Sequence, residues 1–203
     1  MGRMLIRIRF VAPEEIMSDQ ILILGIAERG YWTDANNEGH FFDRALAEGL
    51  IPLFSEKAVA DFGCGKGDYV RFFREHGIDA LGFDGNPLTE KLTQGLGKVC
   101  DLSKPAKLGT FDWVLSLEVG EHIPAVYEQT FLKNIFDHSR EGAILSWAVL
   151  GQEGRGHVNT RDNVSIKELF AAEGYTNDTA LEAKLRSCST LDWFKQTLMV
   201  FRR

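Results

Sequence analysis

The sequence is short of cysteine, carries no surplus of positive charge and has no long apolar run. Its three cysteines, Cys64, Cys100 and Cys188, are odd in number and irregularly spread over 203 residues. They supply neither a disulfide framework nor a zinc signature, so a reducing, cytoplasmic setting is the simplest reading. The formal net charge of -6 argues against a generic nucleic-acid binder, which presents a basic face. The longest apolar run, Ile21-Leu22-Ile23-Leu24-Gly25-Ile26-Ala27, is too short to span a bilayer. It follows charged residues without a convincing cleavage site, so neither a signal peptide nor a membrane partner is expected. Internal repeats and low-complexity tracts are missing as well. What is left, 44% hydrophobic and 26% charged, suits one ordinary globular domain with a substantial core.

The rest of the chain is arranged around Val59-Ala60-Asp61-Phe62-Gly63-Cys64-Gly65-Lys66-Gly67-Asp68. A short apolar run reads as a strand, glycines alternate, and a helical pattern begins at Tyr69, Val70, Phe72 and Phe73. Strand, tight glycine turn and helix open a nucleotide-binding α/β unit. Glycine belongs there because the chain must reverse sharply, and a Cβ would hold a ligand away from the backbone. Dinucleotide folds use Gly-x-Gly-x-x-Gly to seat a pyrophosphate. Here the spacing is Gly-x-Gly-x-Gly, and Asp61 stands two residues ahead of it. A carboxylate at that point repels phosphate and suits a cation such as S-adenosylmethionine (SAM), which has an ammonium, a sulfonium and no phosphate.

These residues resemble the first motif of the class I SAM-dependent methyltransferases, an apolar run followed by acid-x-Gly-x-Gly-x-Gly. The resemblance covers residues 56–203. It implies a Rossmann-like, doubly wound α/β sheet of seven strands, mostly parallel with an antiparallel last strand, and SAM at the carboxyl ends of the first strands. It implies cofactor contacts from Asp61, Gly63, Cys64, Gly65 and Gly67, then Asp84, Gly85 and Asn86, then Asp101 and Leu102, and from Glu118. Asp84 ends the expected second strand, where an acid accepts from both ribose hydroxyls; a helix cap or turn is its other reading. Asp101 matches the family's third motif, in which an acid receives the adenine amino group and the next backbone N–H, here that of Leu102, meets a ring nitrogen. Loop capping is the alternative for Asp101.

The segment Ser116-Leu117-Glu118-Val119-Gly120-Glu121-His122-Ile123-Pro124 follows the expected fourth strand. It resembles the Glu-x-x-Glu-His run of ubiquinone-pathway O-methyltransferases and small-RNA 2′-O-methyltransferases, where an equivalent run supplies metal ligands. On that resemblance Glu118, Glu121 and His122 are candidate ligands of a divalent ion, with His157 a fourth, and the oxygen-rich set suits a hard cation. Relatives that bind no metal use the first acid and the histidine to orient cofactor or a helix terminus. SAM without metal is therefore the favoured cofactor. Candidate catalytic groups are His122 and His157, then His40, with Glu118 beside the methyl group; a base is needed only for a hydroxyl or a protonated amine. The glycine-rich loop 151–163 offers Arg155, His157 and Asn159, and with Tyr31, Trp32 and His40 it would wall the substrate. Methyl transfer to a small-molecule acceptor is the favoured function. A metal-assisted O-methyltransferase acting on RNA or a small molecule, and a non-catalytic SAM-binding module, stand as alternatives, and oligomeric state stays open.

Along the chain, residues 4–10 alternate as a half-buried strand or form a loose arm, and 21–27 is a strand or a buried helix segment. A helix is expected over 41–54. Residues 1–55 read as an extension on the core, either a lid that closes over the cofactor, with Asn36, Asn37, Glu38 and Gly39 giving it room to bend, or a plain aromatic cover. Further expectations are a helix 68–75 closed by Gly77, strands at 78–84, Val99-Cys100, 111–117 and 143–150, and a helix entered at Pro124 and running to His138. A helix signed by the capping box Ser165-x-x-Glu168 and closed by Gly174 follows. The last expected strand covers 197–201.

Overall fold

The computed structural model describes residues 25–33 and 40–203. The expected strand over 4–10, most of the run 21–27, and Asn36 through Gly39 lie outside the described residues. In chain order the elements are α1 (Arg44–Phe54), β1 (Ala58–Phe62), α2 (Asp68–Glu75), β2 (Asp79–Asp84), α3 (Thr89–Leu92), β3 (Gly97–Val99) and β4 (Phe111–Leu117). A 3-10 turn at Ala125–Tyr127 leads into α4 (Glu128–His138), then β5 (Ser139–Ser146), α5 (Asn163–Ala172), β6 (Thr176–Asn177), α6 (Thr179–Cys188), α7 (Phe194–Thr197) and β7 (Met199–Arg202). The described residues form one seven-stranded sheet in the order β3-β2-β1-β4-β5-β7-β6. β1 pairs in parallel with β2 and β4, whereas β7 runs antiparallel to β5 and β6. The expected doubly wound sheet with an antiparallel last strand is borne out.

Each face of the sheet carries its own core, because successive strand residues point to opposite sides. Val59, Trp113, Leu115 and Ile144 face α1 and α2, packing on Leu46, Leu50, Phe54 and Phe73. Ala60, Phe62, Val114 and Leu145 face α4 and α5, packing on Phe131, Ile135 and Phe170. Asp43 caps α1 by accepting from Leu46 N (3.0 Å), while its other oxygen accepts from Thr190 N (2.7 Å) and Leu191 N (3.0 Å). One buried carboxylate thus ties the first described helix to the chain's last quarter.

Several expectations shift, the last strand among them: it begins at Met199, because Thr197 still belongs to α7. β5 stops at Ser146, not 150; Trp147 and Ala148 are fully buried yet outside the ladder. An apolar run reports burial, and burial continues here after the strand pairing has ended. β3 begins at Gly97, so Cys100 falls just beyond it. The cap of α5 is Asp162 rather than Ser165: Asp162 accepts from Ser165 N (2.8 Å) and Ser165 Oγ (2.9 Å). An aspartate three residues earlier captures the donor that a capping box would use. The N-terminal part of the helix expected from Pro124 is a 3-10 turn, and the α-helix starts at Glu128. Sequence reasoning passed over α6 altogether, although its cap, Asp178 accepting from Leu181 N (3.0 Å), is an ordinary helix-start signal.

Candidate active site

Strand order reverses between β1 and β4, and an open sheet binds ligands in the crevice outside the strands' carboxyl ends at that point. The loops after β1, β2, β3, β4 and β5 meet there. After β1 the backbone turns through Gly63, Gly65 and Gly67, all at positive φ (84°, 53° and 74°). Gly63 N donates to Phe83 O (2.7 Å) and Gly65 N to Asp84 Oδ2 (2.9 Å). The second oxygen of Asp84 accepts from Asn86 N (2.8 Å). Asp84 therefore braces both the glycine loop and its own turn. Asn86 is buried in that turn, where its Oδ1 accepts from Leu88 N (2.9 Å).

Asp61, next to last in β1, has 4% of its surface exposed and faces a cavity of about 380 Å³. Burial, reinforced by the charge of Asp84, pushes its carboxyl up to about 8. Asp101 behaves oppositely. Burial works to raise it, but hydrogen bonds from Ser103 and Lys104 win and hold it below the usual carboxylate range. Its Oδ1 accepts from Ser103 N (3.1 Å), while Lys104 Nζ stands 3.1 Å from Oδ2.

The 380 Å³ cavity is lined by Trp32, His40, Phe41, Asp61, Gly63, Cys64, Tyr69, Glu118, His122, Arg155, His157, Trp193 and Phe194, among others. A second, small cavity of about 40 Å³ is bounded by Arg29, Tyr31, Asp84, Gly85, Asp101 and Leu102. Trp32, His40, Gly63, Glu118 and His122 border both.

Between the cavities lies the segment after β4. Glu118 holds a left-handed backbone, φ +52°, which is unusual for a residue with a Cβ. Such strain gathers at functional positions and persists only where the surroundings enforce it. Here Glu118 N donates to Ser146 Oγ (2.8 Å), and the carboxylate accepts from Gln152 Nε2 (3.1 Å) and Thr197 Oγ1 (3.3 Å). Glu121 is fully buried, and neither carboxylate oxygen has a hydrogen-bond partner. Burial first, then the charge of Glu118, drives its carboxyl well above the usual range. His122 Nδ1 lies 3.1 Å from the Gly156 carbonyl and His157 Nδ1 lies 3.0 Å from that of Gln152. A carbonyl only accepts, so in each neutral ring Nδ1 carries the proton and Nε2 keeps its lone pair. Burial lowers His122 to about 4, against the help of Gly156 and with the His157 and His40 rings adding to the drop. The ligand atoms of Glu121, His122 and His157 lie within 4.8 Å of one another.

A family model described as a methyltransferase domain matches residues 34–180. The chain belongs to this methyltransferase family. Norajmaline N-methyltransferase of Rauvolfia serpentina is 25% identical over 158 residues, 71% of this chain and 53% of that protein. The chain thus spans about half the length of that curated relative. Among solved structures, magnesium protoporphyrin IX methyltransferase of Synechocystis PCC 6803 with bound SAM superposes with a TM-score of 0.61, at 13% identity over 95% of this chain and 98% of that one. The 1,6-didemethyltoxoflavin-N1-methyltransferase of Burkholderia thailandensis, holding its substrate and S-adenosylhomocysteine (SAH), gives 0.57 at 16% identity over 98% and 93%. At these identities the likeness is one of fold, and the fold is that of the class I SAM-dependent methyltransferases.

In this member of the family the crevice gathers most of the residues singled out from sequence. Asp61, Gly63, Cys64, Glu118, His122, His157, His40, Trp32 and Arg155 face the larger cavity, and Tyr31, Asp84, Gly85, Asp101 and Leu102 the smaller. Five line neither cavity: Gly65 lies under His40, Asn86 is buried in its turn, Glu121 is buried beside the two histidines, and Gly67 and Asn159 fall elsewhere. Gly67 is the N-cap residue just ahead of α2 and packs against Thr93. Asn159, expected on the substrate wall, is buried with its Nδ2 on Glu128 Oε2 (2.8 Å) and its carbonyl accepting from Trp147 Nε1 (2.6 Å). The polar side chain that suggested a substrate contact is spent inside the fold. Sequence reasoning missed Arg29, Tyr69, Gln152, Trp193, Phe194 and Thr197. Of these, only the Trp193-Phe194 pair carries a local signal, two adjacent aromatics just ahead of the last strand.

Among the described residues no helix is long and apolar enough to cross a membrane.

Proposed function

We propose that the protein transfers the methyl group of SAM to a small-molecule acceptor. The observation that carries this reading is that Asp61 and Gly63 open onto a cavity of about 380 Å³, a size typical of small-molecule sites, with Asp84 and Asp101 on the small cavity that adjoins it. By their names, the relatives described above methylate small molecules. The donor set fits SAM: carboxylates at the ends of three neighbouring strands offer acceptors to an ammonium, a ribose and an amino group, and glycines leave the backbone bare. SAM supplies an already electrophilic methyl carbon, so the chain's task is alignment and exclusion of water. Asp61 holds the cationic end, Asp84 the ribose and Asp101 the base. Phe41, Tyr69 and Trp193 keep the acceptor side dry. A proton released by the acceptor goes to His157 Nε2, because His122, at about 4, is too weak a base near neutrality.

The described part of residues 1–55, which lies against Gly85, Asp101 and His122, supports reading that stretch as an extension over a core domain of 56–203. To test the function, SAM is incubated with fractionated metabolites and SAH is measured. At least one fraction should give SAH, and His157→Ala should slow its formation by about 100-fold. Tight SAM binding with no product from any fraction would leave the non-catalytic reading in its place.

A second reading adds a divalent cation at Glu121, His122 and His157. It is favoured by the buried Glu121 carboxylate, which has no hydrogen-bond partner and lies beside two imidazole lone pairs. Two nitrogens and one carboxylate suit a first-row transition ion better than magnesium. The Gln152 and Gly156 carbonyls that fix both rings are the outer partners such ligands require. Titration with Mn²⁺ and with Mg²⁺ should show one Mn²⁺ bound per chain and weaker Mg²⁺ binding, with Mn²⁺ uptake lost in Glu121→Ala. Equal uptake by the wild type and the variant would exclude this site.

A further inference from the structure

Residues 29–32 and His40 of the N-terminal stretch lie in the crevice at the carboxyl ends of the strands. Arg29 Nη1 donates to Ser103 Oγ (3.1 Å), its Nε faces Asp101 Oδ2 (3.8 Å), and its guanidinium lies 4.5 Å over the Tyr127 ring. The Tyr31 ring covers Gly85 so closely that a Cβ there would stand 2.4 Å from its Cγ. His40 covers Gly65 in the same way, at 2.2 Å. Gly30, at φ +93°, presses on the His122 carbonyl, where a Cβ would come within 2.0 Å of the oxygen. Trp32 stands between the Arg155 guanidinium (4.7 Å) and the His122 ring (5.8 Å). The turn has its own supports: Gly30 N donates to Ala27 O (2.8 Å), Ala27 N to Tyr31 O (2.8 Å) and Thr33 N to Gly25 O (2.9 Å).

These contacts leave about 40 Å³ around Asp84, Gly85 and Asp101, room for about one water and far too little for a nucleoside. We infer that residues 29–32, with His40, form a built-in mimic of the nucleoside end of SAM. Arg29 places a cation on the acid expected to receive adenine, and Tyr31 places a flat ring beside the acid expected to receive ribose. Cofactor enters by displacing this turn. Because Trp32 and His40 border both cavities, the same displacement joins them. This inference rests on SAM being the cofactor.

Calorimetry with SAH on the wild type and on an Arg29→Ala/Tyr31→Ala variant tests it. Removing a cation–π contact, a partly exposed ion pair and a packed ring should tighten SAH about tenfold. Hydrogen exchange on the wild type gives a second readout that needs no variant: the amides of Ala27, Gly30 and Thr33 should lose protection when SAH is added. SAH affinity unchanged or weakened in the variant, or unaltered protection of the turn, overturns the mimic while leaving the cofactor reading intact. Failure of both proteins to bind SAH removes the cofactor reading, and the mimic falls with it.

Discussion

Replacing Asp84 by alanine should weaken SAH binding by at least about 100-fold, because charged hydrogen bonds contribute roughly 1.5–3 kcal/mol each and this carboxylate makes several. Two are already visible, to Gly65 N at 2.9 Å and to Asn86 N at 2.8 Å. Losing the first frees the glycine loop; losing the second frees the turn that carries Gly85. The proposed ribose contacts disappear at the same time. Calorimetry with SAH, alongside a thermal melt, separates these effects. Asp84→Asn keeps the shape and one acceptor, so it should recover part of the affinity. If Asp84→Ala binds SAH within fivefold of the wild type, Asp84 is a turn residue and nothing more.

The second large effect concerns pH. Burial and the charge of Asp84 hold Asp61 at about 8 in the free protein, so near neutrality it is mostly protonated. A folded-state value raised this far means that the group's contribution to stability is complete below its unfolded value near 4. That contribution is lost as pH rises through 8. A bound ammonium reverses the preference and favours the carboxylate. Binding should then release a proton, and SAH affinity should rise by up to about tenfold between pH 6 and pH 7. Asp61→Asn has no proton to release and should show a flat profile. A wild-type profile as flat as that of the variant would remove Asp61 from the cationic subsite.

What could be read from the sequence was local. The glycine loop, Asp61 and Asp84 carry their own signal, because strand, turn and acid sit within a short span and each residue type answers one steric or electrostatic need. The same holds for α2, whose end at Gly77 follows from backbone freedom alone. The support of Glu118 was hidden, since Gln152 and Thr197 reach it from 34 and 79 residues away. Nothing in the local pattern around either residue announces that contact. Asn159 failed for the complementary reason: a polar side chain in a glycine-rich loop looks solvent-facing until the buried Glu128 it serves is seen. β6, at two residues, is too short to show any period.

The same shortness has a further consequence at the margins of the sheet. Of the described strands, β3 with three residues and β6 with two form its outer edges. A strand from another copy would find few unpaired backbone groups there to zip onto, and brief edges are one way in which proteins avoid fibrillar stacking. β6 runs at once into the Asp178 cap of α6, and that carboxylate also holds Arg202 at 2.7 Å. Self-association through continuous sheet extension is disfavoured at both edges, so among the described residues helix faces and loops are the surfaces left for a stable dimer.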